Sequence, residues 1–247
     1  MSYHFIGFPG IKQPKYDVLC YNIHNMSAKF SLNSALLKWI ALVSMTIDHL
    51  ALFFEKDLTA FCPALFTLLR ILGRLAFPIF AFLLVEGFLH THNRRAYGLR
   101  LLIFGLVSEV PYNLFHYGTC FSLEGQNAIL TLLVGFVLLT AYDYFDSHHQ
   151  ILLAFLSSGL LILAACLTRC DLALPMLIIV FMAYLFRFNR LYACLGSLLA
   201  CLFEWPAVFA LPLLYFYNGK RGRQMPYLFY IYYPLHLLIL GLWALAS

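Results

Sequence analysis

Charge is what this sequence has least of. Only 11% of its 247 residues are Asp, Glu, Lys or Arg, against roughly 25% in a soluble domain, so the chain has too few polar groups to clothe its own surface. A soluble enzyme or binding module is excluded. The net charge of +5 does not come from a basic face either: most Lys and Arg residues fall between apolar runs, which argues against a nucleic-acid partner. The seven cysteines include no C-x-x-C pair, and most sit in apolar runs as small buried hydrophobes. A bridge between Cys62 and Cys120 is the alternative left open. Zinc spacing is absent, since His90 and His92 diverge on a helix and His148 and His149 are adjacent in a loop, so no metal is expected. There is no phosphate loop, dinucleotide fingerprint or G-x-S-x-G, which disfavours nucleotide hydrolysis. Residues 1–33 lack the apolar stretch of a cleavable signal and read as a cytoplasmic tail.

What is present is hydrophobicity: 63% of the residues are apolar and the mean hydropathy is +0.83. An all-α polytopic membrane protein follows, with membrane lipids as its surroundings. Apolar runs occur at 35–54, 61–89, 96–115, 127–142, 151–168, 172–186, 191–203, 207–217 and 226–246, which predicts a bundle of about nine transmembrane helices in one domain, residues 34–247. The runs 191–203 and 207–217 fall short of the roughly 20 residues a span needs, and are read as a re-entrant pair around Glu204-Trp205-Pro206. Lys12, Lys15, Lys29, Lys38, Arg94, Arg95, Arg100, Arg187, Arg190, Lys220, Arg221 and Arg223 then share one side, opposite loops that carry Glu55, Asp57, Glu124, Asp171 and Glu204. Under the positive-inside rule the N-terminus is cytoplasmic and the C-terminus external. The acidic loop Asp143 to Gln150 has no explanation on the basic side.

Polar residues within the spans cost roughly 2 to 4 kcal/mol each to insert. Asp48 and His49 lie about 15 Å beyond Lys38 by helical rise, and neighbours on a helix diverge by about 100°, so each needs a partner on another helix. Arg70 and Arg74 share a face in the second run, and one of them can pair with Asp48. Gly73 permits close approach, and Pro78 removes the hydrogen bond to the Arg74 carbonyl and invites a kink. Glu109 and Asn113 share a face around Pro111, Gln126 and Asn127 open the fourth run, and His236 lies at mid-depth in the last. Apolar packing would hold the helices without this desolvation cost, so two arginines, two acids and two histidines within the slab predict a functional cavity. Glu86, His90, His92, Arg94, Arg95 and Arg100 gather instead near the inner surface as a mouth suited to anions, or as plain topology markers.

Read in order, Met45-x-x-Asp48-His49, Arg70-x-x-Gly73-Arg74-x-Ala76-Phe77-Pro78-x-Phe80, Glu86-Gly87-Phe88 with His90-Thr91 and Asn93, Ser108-Glu109-x-Pro111, Gln126-Asn127, Asn218-Gly219-Lys220-Arg221-Gly222 and Tyr233-Pro234-Leu235-His236-Leu237 resemble the TraX family of integral membrane acetyltransferases. The resemblance implies a bacterial inner-membrane enzyme that moves an acetyl group from cytosolic acetyl-CoA to an amine, such as a peptide or pilin N-terminus, near the outer face. It implies acetyl-CoA as co-substrate and no metal. Glu86, His90, Asn93, Arg94, Arg95 and Arg100 would hold acetyl-CoA, with its phosphates on the three arginines. Asp48, His49, Arg70, Arg74, Glu109 and His236 would form the catalytic group, with His49 or its rival His236 as general base or acetyl carrier. Asn113, Gln126 and Asn127 would receive the acceptor. Where family members tend to have Asp-Tyr-Gly, this chain has Asp171-Leu172-Ala173, and no role is assigned to Asp171. O-acetylation of a surface glycan is the second enzymatic reading. A proton-coupled transporter is the third, against which the lack of inverted repeats counts.

Overall fold

A computed structural model describes residues 31–246 except Gln224 and Pro226; the N-terminal tail lies almost wholly outside the described residues. Among those described, the elements are helical: α1 (Ser34–Phe53), α2 (Glu55–Phe61), α3 (Pro63–Gly73), α4 (Ala76–His90), α5 (Arg94–Tyr117), α6 (Ala128–Ser147), α7 (Ile151–Leu167), α8 (Ala173–Leu185), α9 (Arg190–Ser197), α10 (Leu211–Tyr215) and α11 (Leu228–Ala246). Four of the starts are set by asparagine caps. The side-chain oxygens of Asn33, Asn93, Asn127 and Asn189 accept from the backbone N–H groups of Leu36, Ala96, Ile129 and Leu191 at 2.9, 2.9, 2.9 and 3.0 Å, as short polar side chains do at a helix entrance. Gly118, with φ of 68°, closes α5 in the left-handed conformation that glycine adopts without steric cost.

The second apolar run is two helices. Pro78 has no N–H to offer the Arg74 carbonyl, and the chain breaks at Arg74-Leu75 between α3 and α4. Taken through that break, Pro63–His90 is long and apolar enough to cross a membrane, as are Ser34–Phe53, Ala128–Ser147 and Leu228–Ala246. Four of the nine expected spans thus qualify on length and apolarity. Helix α5 has 24 residues but carries Arg94, Arg95, Arg100 and Glu109, and α7 and α8 are shorter, at 17 and 13 residues. The expected hairpin 191–217 folds as α9, two 3-10 turns (Leu198–Leu202 and Trp205–Ala210) and α10, interrupted at Glu204, with Pro206 and Pro212 in the first turns of the elements that follow. Cys62 and Cys120 are both free thiols, so the bridge between them does not form.

Apart from Glu86 and His90 toward its C-terminal end, helix α4 is apolar on every face, which fits a helix enclosed by others. Ile79, Ala81 and Phe88 are fully buried, with α1 against one side and α8 against another. Helices α5 and α11 pack along each other, and α7 leans on α6 and α8 at the edge, turning Leu152, Leu156, Leu160 and Leu163 outward. Apolar side chains exposed in such a row match an acyl-chain environment.

Candidate active site

Helix α1 supplies Asp48 and His49, and their divergent directions send them to different partners. The Asp48 carboxylate forms an ion pair with Arg70 of α3 at 2.6 Å. The helices approach closely there because residue 73 is glycine: a Cβ at that position would collide with the Asp48 side chain. The Ser44 hydroxyl ties the same crossing by donating to the carbonyls of Leu72 and, at 3.2 Å, Gly73. One helical turn beyond Arg70, Arg74 reaches Glu204 of the hairpin at 3.7 Å.

His49 turns to α11. Its Nδ1 lies 2.7 Å from His236 Nε2, and His236 Nδ1 lies 2.8 Å from the Tyr232 carbonyl. A carbonyl only accepts, so the partners assign the proton to His236 Nδ1; in the neutral ring His236 Nε2 is then the acceptor and His49 Nδ1 the donor. The relay leaves His49 Nε2 with a free lone pair, held in one tautomer by its neighbour. Tyr232 is fixed in turn by a 2.7 Å hydroxyl contact with Thr46.

One hollow of about 690 Å³ joins this cluster to the end of the bundle where α1 begins and α4 ends. Lys38, His90, Asn93, Arg100 and Arg221 line its mouth, whereas Asp48, His49, Arg74, Asp171 and Tyr233 line its deep end. Glu86 also faces the hollow and accepts from the Tyr217 hydroxyl at 3.0 Å. Mouth and deep end draw on opposite loop sets: Asp171 belongs to the α7–α8 connection, on the side of the bundle away from Lys38 and Arg100. In that connection burial pushes the Asp171 carboxyl up to about 6.

The family model described as TraX protein matches residues 33–244. The chain belongs to the TraX family. Among its relatives is the "Probable fimbrial assembly protein FimC, serogroup H1" of Dichelobacter nodosus, 29% identical over 246 residues, which cover 87% of this chain and 97% of that protein. An uncharacterised protein of Rickettsia prowazekii (strain Madrid E) is 32% identical over 75 residues, 30% of this chain and 25% of that one. No solved structure matches.

In this TraX-family chain several expected site residues stand elsewhere. Arg94 does not line the hollow: it pairs with Asp143 at 2.5 Å and stacks over Phe88 at 4.0 Å. The expected acidic loop begins later than the sequence suggested, since α6 runs to Ser147; Asp143 lies within that helix, pairs with a cation from α5 and further accepts from the Tyr184 hydroxyl at 2.7 Å. Arg95 is exposed and outside the hollow. Glu109 accepts from the Asn127 backbone at 2.9 Å and from its side chain, which also reaches the Gly105 carbonyl at 2.8 Å, so Glu109 and Asn127 staple α5 to α6. Asn113 is buried away from the hollow. Gln126 exchanges backbone bonds with the α7–α8 connection, donating to the Arg169 carbonyl at 3.0 Å and accepting from Asp171 at 2.8 Å. None of these polar residues from α5 and α6 faces the cavity. His236 touches it only through His49, and Arg70 only through Asp48. Residues to which the sequence pattern gave no site role include Tyr233, Tyr217 and Asp171 in the cavity, together with Glu204 behind Arg74; each arrives from a segment far along the chain.

Proposed function

We propose that this TraX-family protein is a membrane-embedded acetyltransferase of the bacterial inner membrane that moves an acetyl group from cytosolic acetyl-CoA to an amine of a peptide or pilin-like acceptor near the outer face. The observation that carries the reading is the single hollow that runs from a basic mouth to the His49 relay. The mouth suits a phosphorylated donor, since Lys38, Arg100 and Arg221 supply cations and His90 and Asn93 supply hydrogen bonds there. It lies on the side that the loop cations mark as cytoplasmic, where acetyl-CoA is available. About 16 Å of α1 separates Lys38 from His49 by helical rise, a depth that an acyl group on a long arm can reach while its phosphates stay at the entrance. The fimbrial-assembly description of the Dichelobacter relative supports a pilin-like acceptor.

The chemistry then follows from the side chains. The acceptor nitrogen attacks the thioester carbonyl carbon, a C–N bond forms, and the oxygen becomes an oxyanion. Arg74 is the donor for it: it lines the hollow, and its ion-pair partner stands at 3.7 Å, whereas Arg70 is held by Asp48 at 2.6 Å. One such donor is worth about 3 to 4 kcal/mol. The C–S bond breaks and coenzyme A leaves as thiolate. His49 Nε2 takes the proton lost by the nitrogen and returns it to the sulfur, while His236 keeps the ring in the tautomer that makes this available. His49 and His236 are therefore one unit, with His49 as base and His236 as its positioning residue. The test is acetyl-CoA turnover by purified protein in detergent, with mass spectrometry of a free-amine peptide. Gain of one acetyl group on the amine is expected. A protein that turns over no donor with amine peptides present would overturn the reading.

A further inference from the structure

The proposed transfer leaves one carboxylate at the deep end idle. Asp171 lines the hollow beside Arg74, His49 and Tyr233. Its backbone is fixed on both sides: the N–H donates to the Gln126 carbonyl at 2.8 Å, and the carbonyl accepts from the Thr131 hydroxyl at 2.7 Å. Arg169 and Leu172, two residues before it and one after, hold φ values of 54° and 50°, a left-handed region that strains L side chains and persists where surroundings impose it. Strain and main-chain bonds thus set this residue in place, yet its side chain has no use within the protein. Among the described residues the Asp171 carboxylate makes no hydrogen bond, and no cation lies within 4.0 Å of it. The nearby arginines are engaged, Arg70 with Asp48 and Arg74 with Glu204. Two cations therefore face three carboxylates, and one negative charge stands uncompensated against a wall of Ile129, Leu172 and Met176. A desolvated carboxylate without a cation is unfavourable, and a cationic ligand would relieve it.

We propose that Asp171 is the counter-ion of a protonated amine, so that the deep end of the hollow selects an ammonium group carried next to an apolar substituent, and not a sugar hydroxyl. The biological meaning of this rests on the acetyl-transfer reading; the binding itself does not require acetyl-CoA. Asp171 holds the cation; its first proton passes to His49 and out to solvent through the mouth, which frees the lone pair to attack the thioester, and the second proton, lost from the nitrogen after attack, goes by His49 to the sulfur.

The experiment is calorimetric titration of the full-length protein in detergent, without acetyl-CoA, using a tetrapeptide amide with an apolar first residue and a free α-amine, and its N-formyl derivative. Charge-assisted bonds of this kind predict that the wild type binds the free-amine peptide roughly 10- to 100-fold more tightly than the formylated one. In Asp171→Asn that preference falls to about twofold or less, whereas Asp171→Glu, which keeps the charge, retains most of it. Acetyl-CoA binding by each variant reports whether its fold is intact. Equal affinity of the wild type for the two peptides overturns the proposal, with no variant needed, and so does an undiminished preference in a folded Asp171→Asn. Amine binding that depends on Asp171, with no acetylation once acetyl-CoA is added, overturns the transfer reading instead and leaves the ammonium site standing.

Discussion

The two ends of the hollow are built differently. At the mouth, Arg100 and His90 stand side by side at a partly open surface, and losing one leaves the other in place. At the deep end every polar group but one is tied to a partner across helices: Asp48 to Arg70, Arg74 to Glu204, His49 to His236. The difference teaches where position matters. Charges in water are screened and interchangeable, whereas buried ones are costly unless held by a specific neighbour, so substitutions at the deep end should act steeply and those at the mouth gradually.

The largest expected effect sharpens that contrast at the relay. His49→Ala removes the base and should lower acetylation of a free-amine peptide by about 10²- to 10⁴-fold in kcat, with acetyl-CoA affinity unchanged. His236→Phe leaves the base but frees its tautomer, so its loss should be smaller and should alter the pH profile of kcat. Steady-state kinetics of both variants check this. If His236→Phe were as inactive as His49→Ala and lost acetyl-CoA affinity too, the two rings would not have separate roles.

Next in size is the ion pair. Arg70→Ala strands Asp48, whose side chain is 12% exposed, and leaving such a charge unpaired costs about 3 to 5 kcal/mol. Thermal unfolding in detergent should show a marked drop that the double variant Asp48→Asn, Arg70→Met largely recovers. A single variant as stable as the wild type would place the pair among surface contacts and erase the distinction between the two ends.

The remaining deep-end group titrates. Asp171, raised to about 6 by burial, is ionised above that pH and neutral below it, so an ammonium held there is released as pH falls through 6. The KM for the amine should rise about tenfold from pH 7 to pH 5 on this account, and Asp171→Asn should lack that component. Arg74, Arg70, Asp48 and Glu204 contribute to the field at this carboxylate, with Tyr112 and Tyr233 facing it from α5 and α11. A wild-type profile parallel to that of Asp171→Asn would refute the assignment.

How much of this could be read in the sequence depends on distance along the chain. The Pro78 break and the pairing of Asp48 with one of two arginines a turn apart were legible, because each rests on local spacing. The partners that complete the site were not. His49 and His236 are 187 residues apart, and nothing local distinguishes rivals from a pair. Glu204 reaches Arg74 only because the hairpin folds back, and Asp171 faces the hollow only because its loop is pinned to Gln126 and Thr131. Glu109 and Asn127 stand apart from the hollow for the opposite reason: they carry the right chemistry but use it up on each other. One signal was available, the acidic stretch from Asp143 on a basic side, which called for a cation such as Arg94.

That pair sets the smallest test, at the mouth itself. Arg94 and Arg100 lie on the same helix, and loop charge alone treats them alike, yet Arg100 lines the hollow and Arg94 is bound to Asp143 with 43% of its side chain exposed. Arg100→Ala should raise the KM for acetyl-CoA by several-fold, about 1 to 1.5 kcal/mol for one charge-assisted contact, with kcat unchanged and a weaker salt dependence. Arg94→Ala should leave that KM within about twofold of the wild type and cost less than about 1 kcal/mol of stability, as exposed pairs do. Equal KM increases in the two variants would mean that the mouth gathers phosphate by overall charge and not by the residues that face the cavity, and Arg94 would regain its place among the donor-binding groups.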